Sequence, residues 1–353
     1  MKVSSGIFAA VLSLGGIVGG FVFCSIPRAL PAQSPPEPDS TATAPPRTDD
    51  PAFRIDATLV NVDVLVTDED GRVLTGLKRE NFRVFDEGAQ RQIVDFAPTT
   101  TPITIVMLME YSAASYSYFA AKAADWGTGF LSHLESRDWI ALVTFDLNSK
   151  VKVDFTHSQP EMRDAIAVLG YPQFREVNLH DALIDTLDKL DRVRGKKAIL
   201  LLATGLNSFS AATQDDVSKR LKETDATIFC VGLAESEYVR YGGSSMSYLQ
   251  GKNALTAFAR QTGGLALFPR FEGELPDIFR SVVGFLRSEY SLTFRPPVES
   301  RDGRYHRLKI EIVGADGKPL KVTNEKGKRR KIEVYAREGY VAPRDRADEK
   351  KGG

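Results

Sequence analysis

The hydrophobic period of this chain changes twice, and that double change limits the possible folds more than any single motif. From residue 55 to 96 apolar side chains recur at every second position. Val60, Val62, Val64 and Val66 alternate in "IDATLVNVDVLVTD", "EDG" makes a turn, and "NFRVFDEG" and "QRQIVDFA" follow as short strands. From 289 to 341 the period is two again, in "EYSLTFRPP", "YHRLKIEIVGADGKP" and "RKIEVYAREGYVA". Between these arms, unbroken apolar runs alternate with helix-spaced ones.

The middle stretch supplies a sheet and its cover. "ITIVMLM", "WIALVTF", "KAILLLATG" and "ATIFCVGL" are continuous enough to be strands buried on both faces, with "KVKVDF" and "LALF" beside them. Helical spacing carries Phe119, Ala123, Trp126, Phe130 and Leu134, then Leu179, Leu183, Leu187 and Leu190. A third helix starts at Thr213 as N-cap, a fourth is "NALTAFARQT" closed by Gly263 and Gly264, and a fifth runs from Leu275 to Leu286. The alternation predicts a doubly wound, mostly parallel α/β sheet of the Rossmann-like kind over residues 102–287. Neither arm, 53–99 or 288–342, has enough strands to stand alone. They are predicted to meet as one discontinuous β-sandwich into which the α/β unit is inserted.

The ends read differently. Lys2 precedes Ile7 to Ile26, a stretch without a charged residue, and a small residue, Ala32, follows in "SIPRALPAQ". Residues 1–32 read as a secretory signal, or as a retained membrane anchor through residues 7–26, since about 20 apolar residues span a bilayer. Either reading places the chain outside the cytoplasm, in the periplasm or cell envelope or secreted. Residues 33–52 are a Pro-rich linker and 343–353 a polar tail, both predicted to be disordered. Cys24 leaves with a cleaved signal, and Cys230 lies in an apolar run where a thiol behaves as a small hydrophobe, so no disulfide framework exists.

The segments "ITIVMLMEYSAAS", "WIALVTFD", "NLHDALIDTL" and "KAILLLATG" resemble the successive segments of a von Willebrand factor type A (VWA) domain, over roughly residues 102–287. The two arms resemble those of the acidobacterial VWFA-related proteins. The resemblance implies a metal-ion-dependent adhesion site at the carboxyl rim of the sheet, built from D-x-S-x-S, a threonine and an aspartate around Mg²⁺. Here Glu110 opens the first motif and Ser112 is kept, while Ala114 replaces its second serine. Val177 or Asn178 stands in the threonine's place and Thr204 in the aspartate's. A glutamate carries its carboxylate outward by about 1.5 Å, and Mg²⁺ tolerates little distortion. The expected site is therefore degenerate: Glu110, Ser112, Asn178 and Thr204, with Asp146 or Asp181 behind them, holding Mg²⁺ or Ca²⁺ at most weakly. The other reading of Glu110 is a hydrogen-bonded acid facing a helix N-terminus near Ser115.

Other chemistry is thinly represented. The net charge is zero, which gives nucleic acid nothing to act on. His133, His157, His180 and His306 show no ligand spacing, and no nucleophile-elbow or phosphate-cradling motif is present in the mature chain. The basic cluster "EKGKRRK", 325–331, reads as a solvated hairpin turn. The loop 235–251 carries Tyr238, Tyr241, Met246 and Tyr248 among serines and glycines, a composition suited to protein recognition and equally to a mobile insertion. The sequence thus predicts an exported, non-catalytic binding or scaffold module with an unidentified protein partner. The alternative is a metal-dependent adhesion receptor with a weakened site.

Overall fold

The computed structural model describes residues 59–342 except 99–100, 114, 116–118, 120, 122–126, 128, 234, 236–238, 240–243, 301 and 324–326. The signal or anchor segment, the linker, the C-terminal tail, Tyr238 and Tyr241 lie outside the described residues. No described helix is long and apolar enough to cross a membrane.

The first arm forms β1 (Val60–Asp68), β2 (Phe82–Asp86), β3 (Ala89–Arg91) and β4 (Ile93–Pro98). The middle of the chain forms β5 (Ile103–Glu110), β6 (Trp139–Phe145), β7 (Ser149–Thr156), α1 (Gln159–Ala167), α2 (Leu179–Leu190), β8 (Lys196–Leu202), α3 (Gln214–Glu223), β9 (Thr227–Val231), α4 (Ser245–Thr262), β10 (Ala266–Leu267) and α5 (Leu275–Arg287). The second arm forms β11 (Tyr290–Phe294), β12 (Tyr305–Ile312), β13 (Val322–Thr323), β14 (Arg329–Arg330), β15 (Ile332–Ala336) and β16 (Gly339–Val341).

The arms meet in two four-stranded antiparallel sheets, ordered β15-β1-β11-β4 and β16-β12-β2-β3. In the first sheet β1 lies between two strands of the second arm. Its first half pairs with β11, Val62 opposite Leu292, and its second half with β15, Val66 opposite Val334. Val60, Val62, Val64 and Val66 point inward with Phe82, Val84, Leu292, Phe294, Ile312 and Tyr340 to make the sandwich core. This is the period-two pattern carried into packing. Leu65 faces the other way and is buried in the α/β core, so the outer face of β1 is itself an interface.

The inserted unit is a six-stranded sheet in the order β10-β9-β8-β5-β6-β7, parallel except for edge strand β7. Alternate residues of its strands supply two cores. Ile105, Met107 and Met109 pack with Leu200 and Leu202 under α1 and α5, and Val106 and Leu108 pack with Ile199 and Leu201 under α2, α3 and α4. Burial on both faces explains why these strands read as unbroken apolar runs. Each fully buried aliphatic side chain contributes roughly 1.5–3 kcal/mol. Edge strand β7 breaks register twice against β6 and carries exposed Lys150 and Lys152, two features that blunt an edge against further pairing.

Helix α4 corrects the sequence reading, which began that helix at Asn253. It starts at Ser245, where Ser244 caps it by accepting from Ser247 N at 3.1 Å. Met246 and Tyr248 are therefore helical residues of its first turns rather than loop residues. Gly251, which looked like loop punctuation, lies within this helix, and a Cβ there would collide with the Thr204 carbonyl.

Two contacts at the amino ends of the strands join insert to sandwich. The Arg337 guanidinium, in the β15–β16 turn, donates to Thr224 O (2.8 Å) past the end of α3 and to Gly339 O (2.6 Å). Lys196 at the start of β8 pairs with Glu289 just before β11, with both side chains buried. The sandwich thus holds the sheet from below, leaving the opposite, carboxyl rim clear of it.

Candidate functional site at the carboxyl rim

In an open α/β sheet the chain leaves neighbouring strands in opposite directions at one point, and side chains at the carboxyl ends of those strands border a crevice. Here that point falls between β5 and β8. Glu110 is the last residue of β5, and Thr204 lies two residues beyond β8. Sequence reasoning named both.

Glu110 is 1% exposed. Its Oε1 accepts from Ser112 Oγ at 2.7 Å, and its Oε2 accepts from Thr204 N at 2.7 Å and Thr204 Oγ1 at 2.8 Å. Ser115 Oγ donates to the Glu110 carbonyl at 3.0 Å, and Ser115 N to Ser112 Oγ at 3.3 Å. Burial raises the carboxyl above the usual range for a glutamate, while the bonds from Ser112 and Thr204 act in the opposite direction. Among the described residues the donors to this carboxyl are the Ser112 and Thr204 hydroxyls and the Thr204 amide.

The second half of the rim is built from backbone. Asn178 N donates to Asp146 O at 2.8 Å, Tyr111 N to Phe145 O at 2.7 Å and Ala113 N to Phe174 O at 2.8 Å. Of the two residues in the threonine's place, Val177 is buried in the apolar core below α2, and Asn178 is the N-cap position of that helix. Asn178 Oδ1 is buried and takes no hydrogen bond among the described residues. Asp146 Oδ1 accepts from Asn148 N at 3.1 Å, closing the β6–β7 turn. Asp181 accepts from Ala211 N and Ala212 N at 2.9 and 2.8 Å, which pins the loop after β8 to α2.

These groups, as arranged, do not fit a divalent ion. A hard cation needs about six oxygen ligands with free lone pairs. Of the four predicted ligands Glu110 alone is a carboxylate, three of its roughly four acceptor sites are taken by Ser112 and Thr204, and Val177 is turned into the core. Among the described residues no group of three or more His, Cys, Asp and Glu side chains is placed to hold a metal.

The same end of the sheet carries exposed apolar side chains. Tyr171, Phe174, Phe209, Met246, Leu249 and Phe271 are all solvent-accessible and all lie on loops or first turns at this end of the sheet. Backbone contacts tie three of these segments to the strand ends. Phe174 O accepts from Ala113 N, Phe209 N donates to Val177 O, and Gly251, one turn past Met246, abuts Thr204. Sequence reasoning singled out Met246 and missed Phe174, Phe209 and Phe271, because single aromatics in polar loops carry no periodicity. Tyr248 turns inward and packs against the core.

The sheet order, the β5–β8 crevice and the loops above it can be set beside solved structures. The chain is similar to von Willebrand factor type A domains. It matches the type A structure from Catenulispora acidiphila at 11% identity and a TM-score of 0.43, covering 84% of this chain and 76% of that one. It matches the vWF domain of the type V pili tip protein Mfa5 from Porphyromonas gingivalis at 12% identity and TM-score 0.41, covering 53% and 95%. Proximal thread matrix protein 1 from the mussel byssus matches at 13% identity and TM-score 0.41, covering 52% of this chain; the chain spans about half of the length of that protein, 47%. No protein-family model matches the chain, and no curated protein does.

Proposed function

We propose that this chain is an exported, non-catalytic protein-binding or scaffold module that binds through the carboxyl rim of its α/β sheet without needing a metal ion. The observation that carries the reading is the engagement of Glu110, whose two oxygens already accept from Ser112 and Thr204, which favours a degenerate form of the adhesion site that the resemblance implies. The exposed apolar residues at the same end of the sheet supply contact area of the kind protein interfaces use. The non-catalytic part is supported by how the polar side chains are engaged. His157 and His180 each face a backbone carbonyl and His306 faces two carboxylates, so among the described residues the ring partners of these three are structural acceptors rather than a hydroxyl or thiol to be activated. Cys230 is buried and its thiol is pushed up by burial, away from the thiolate that nucleophilic chemistry needs. Export rests on the uncharged first segment of the sequence.

A second reading, a metal-dependent adhesion receptor with a weakened site, draws support from one observation, the unsatisfied Asn178 Oδ1 at the same rim. The two readings separate in one experiment. Residues 53–342 are immobilised and used to capture protein from cell-envelope extract, with and without chelator, beside a Phe209→Ser, Met246→Ser double variant. The first reading expects a band lost in the double variant and indifferent to chelator. A band that chelator and Glu110→Ala both remove, and that the double variant keeps, establishes the second.

A further inference from the structure

We infer that Glu110 is a positioning residue: its carboxylate is the brace that ties the end of β5 to the end of β8 and sets the shape of the rim, the part the resemblance would give to a divalent ion. The inference rests on the reading of the rim as the binding face.

The geometry follows from the length of the side chain. Glu110 ends its strand beside β8, and a glutamate reaches across the gap far enough to accept from both the amide and the hydroxyl of Thr204 with one oxygen, while the other oxygen takes Ser112. An aspartate is shorter by about 1.5 Å and would leave the Thr204 bonds, at 2.7 and 2.8 Å, out of reach. From Thr204 the brace extends outward. Thr204 Oγ1 also accepts from Leu206 N at 3.3 Å, and Gly205, at φ +79°, lies flat against Gly251 with no room for a side chain on either. Gly251 closes the second turn of α4, so the position of Met246 and Leu249 depends on where Thr204 is held. On the near side, Ser112 and Ser115 carry the same network into the segment after β5. One carboxylate thus ties both strand ends, and it does so in a buried site, where donors left without an acceptor are costly.

A brace and a cation ligand make opposite demands on residue 110, which is what makes the inference testable. Hydrogen exchange is measured over residues 203–210 and 245–252 in the full chain and in Glu110→Gln, Glu110→Asp and Glu110→Ala, each with chelator and with Mn²⁺, and Mn²⁺ binding is followed by its own paramagnetic signal. The brace requires reach rather than charge. Glu110→Ala and Glu110→Asp should exchange about tenfold faster or more in both segments, and Glu110→Gln, which keeps an acceptor at the same distance, should stay within about threefold of the parent. Mn²⁺ should change nothing in the parent. The inference is overturned if Mn²⁺ protects these segments in the parent, if Glu110→Asp holds them while Glu110→Gln releases them, or if Glu110→Ala leaves them unchanged. Should Glu110→Ala not fold, the Gln and Asp variants and the Mn²⁺ arm decide between the same outcomes. None of these readouts uses a partner, so failure of the brace leaves the capture experiment standing, and the converse holds.

Discussion

Lys196 and Glu289 form an ion pair at 4% and 2% side-chain exposure, on the seam where the first residue of β8 meets the approach to β11. Lys196 Nζ also donates to Leu286 O near the end of α5, so one ammonium group holds the sheet, the last helix and the first returning sandwich strand together. Breaking such a pair from one side leaves a buried charge alone. Lys196→Met should therefore cost roughly 3–5 kcal/mol, whereas Lys196→Met with Glu289→Leu should recover most of that loss. Urea unfolding of the two single variants and the double one measures the cycle, and an additive double variant would show that the pair is not coupled.

The same carboxyl gives the chain a pH dependence. Burial raises Glu289 from 4.5 to about 7, with Lys196 lowering it and Asp63 raising it. A carboxyl that holds its proton more tightly folded than unfolded contributes stability that is complete below pH 4.5 and lost as pH rises through about 7. Other groups add their own slopes, so the quantity to follow is the difference between the parent and Glu289→Gln. That difference should shift in favour of the Gln variant between pH 5 and 8, as read from melting temperatures, and a constant difference across the range would contradict the shift.

Arg337 makes the second attachment. Its guanidinium is mostly buried, burial lowers its basicity, and it donates to Thr224 O beyond the last turn of α3 and to Gly339 O in its own turn. Positive charge at a helix C-terminus is favourable, and the fork geometry suits two carbonyls at once. Arg337→Met should lower stability by about 1–3 kcal/mol and speed hydrogen exchange selectively in residues 218–226. Arg337→Lys should restore the charge without restoring both bonds, and full recovery by lysine would show that charge alone is at work.

Much of this architecture was legible in the sequence. The two changes of period marked where the sandwich stops and resumes, and Val60 to Val66 gave its inward face. The apolar runs of β5 and β8 announced a sheet covered on both sides, and Glu110 stood out because a single acid ended one of them. The seam residues were not legible, since Lys196, Glu289 and Arg337 are ordinary charges until the topology brings them under cover. Nor was the link from Glu110 to Thr204. The sequence places the two at neighbouring strand ends, but a bond between them depends on a difference in side-chain reach of about one carbon–carbon length, which spacing does not report. The start of α4 was missed because Ser244 to Gly251 is rich in the residues that usually signal a loop.

Gly251 turns that last error into a prediction. In an exposed helix, alanine is favoured over glycine by about 1 kcal/mol. At residue 251 the new methyl group would meet the Thr204 carbonyl and the Gly205 backbone, neither of which can move without disturbing the Thr204 bonds to Glu110. The steric term should therefore reverse the usual sign. Gly251→Ala is expected to lower the melting temperature and to raise hydrogen exchange at 203–210, while Gly129→Ala, where a Cβ meets nothing within 4 Å, should not. A Gly251→Ala protein more stable than its parent would mean that α4 and the loop after β8 are not in the contact described, and with it the path from Glu110 to the outer rim would be lost.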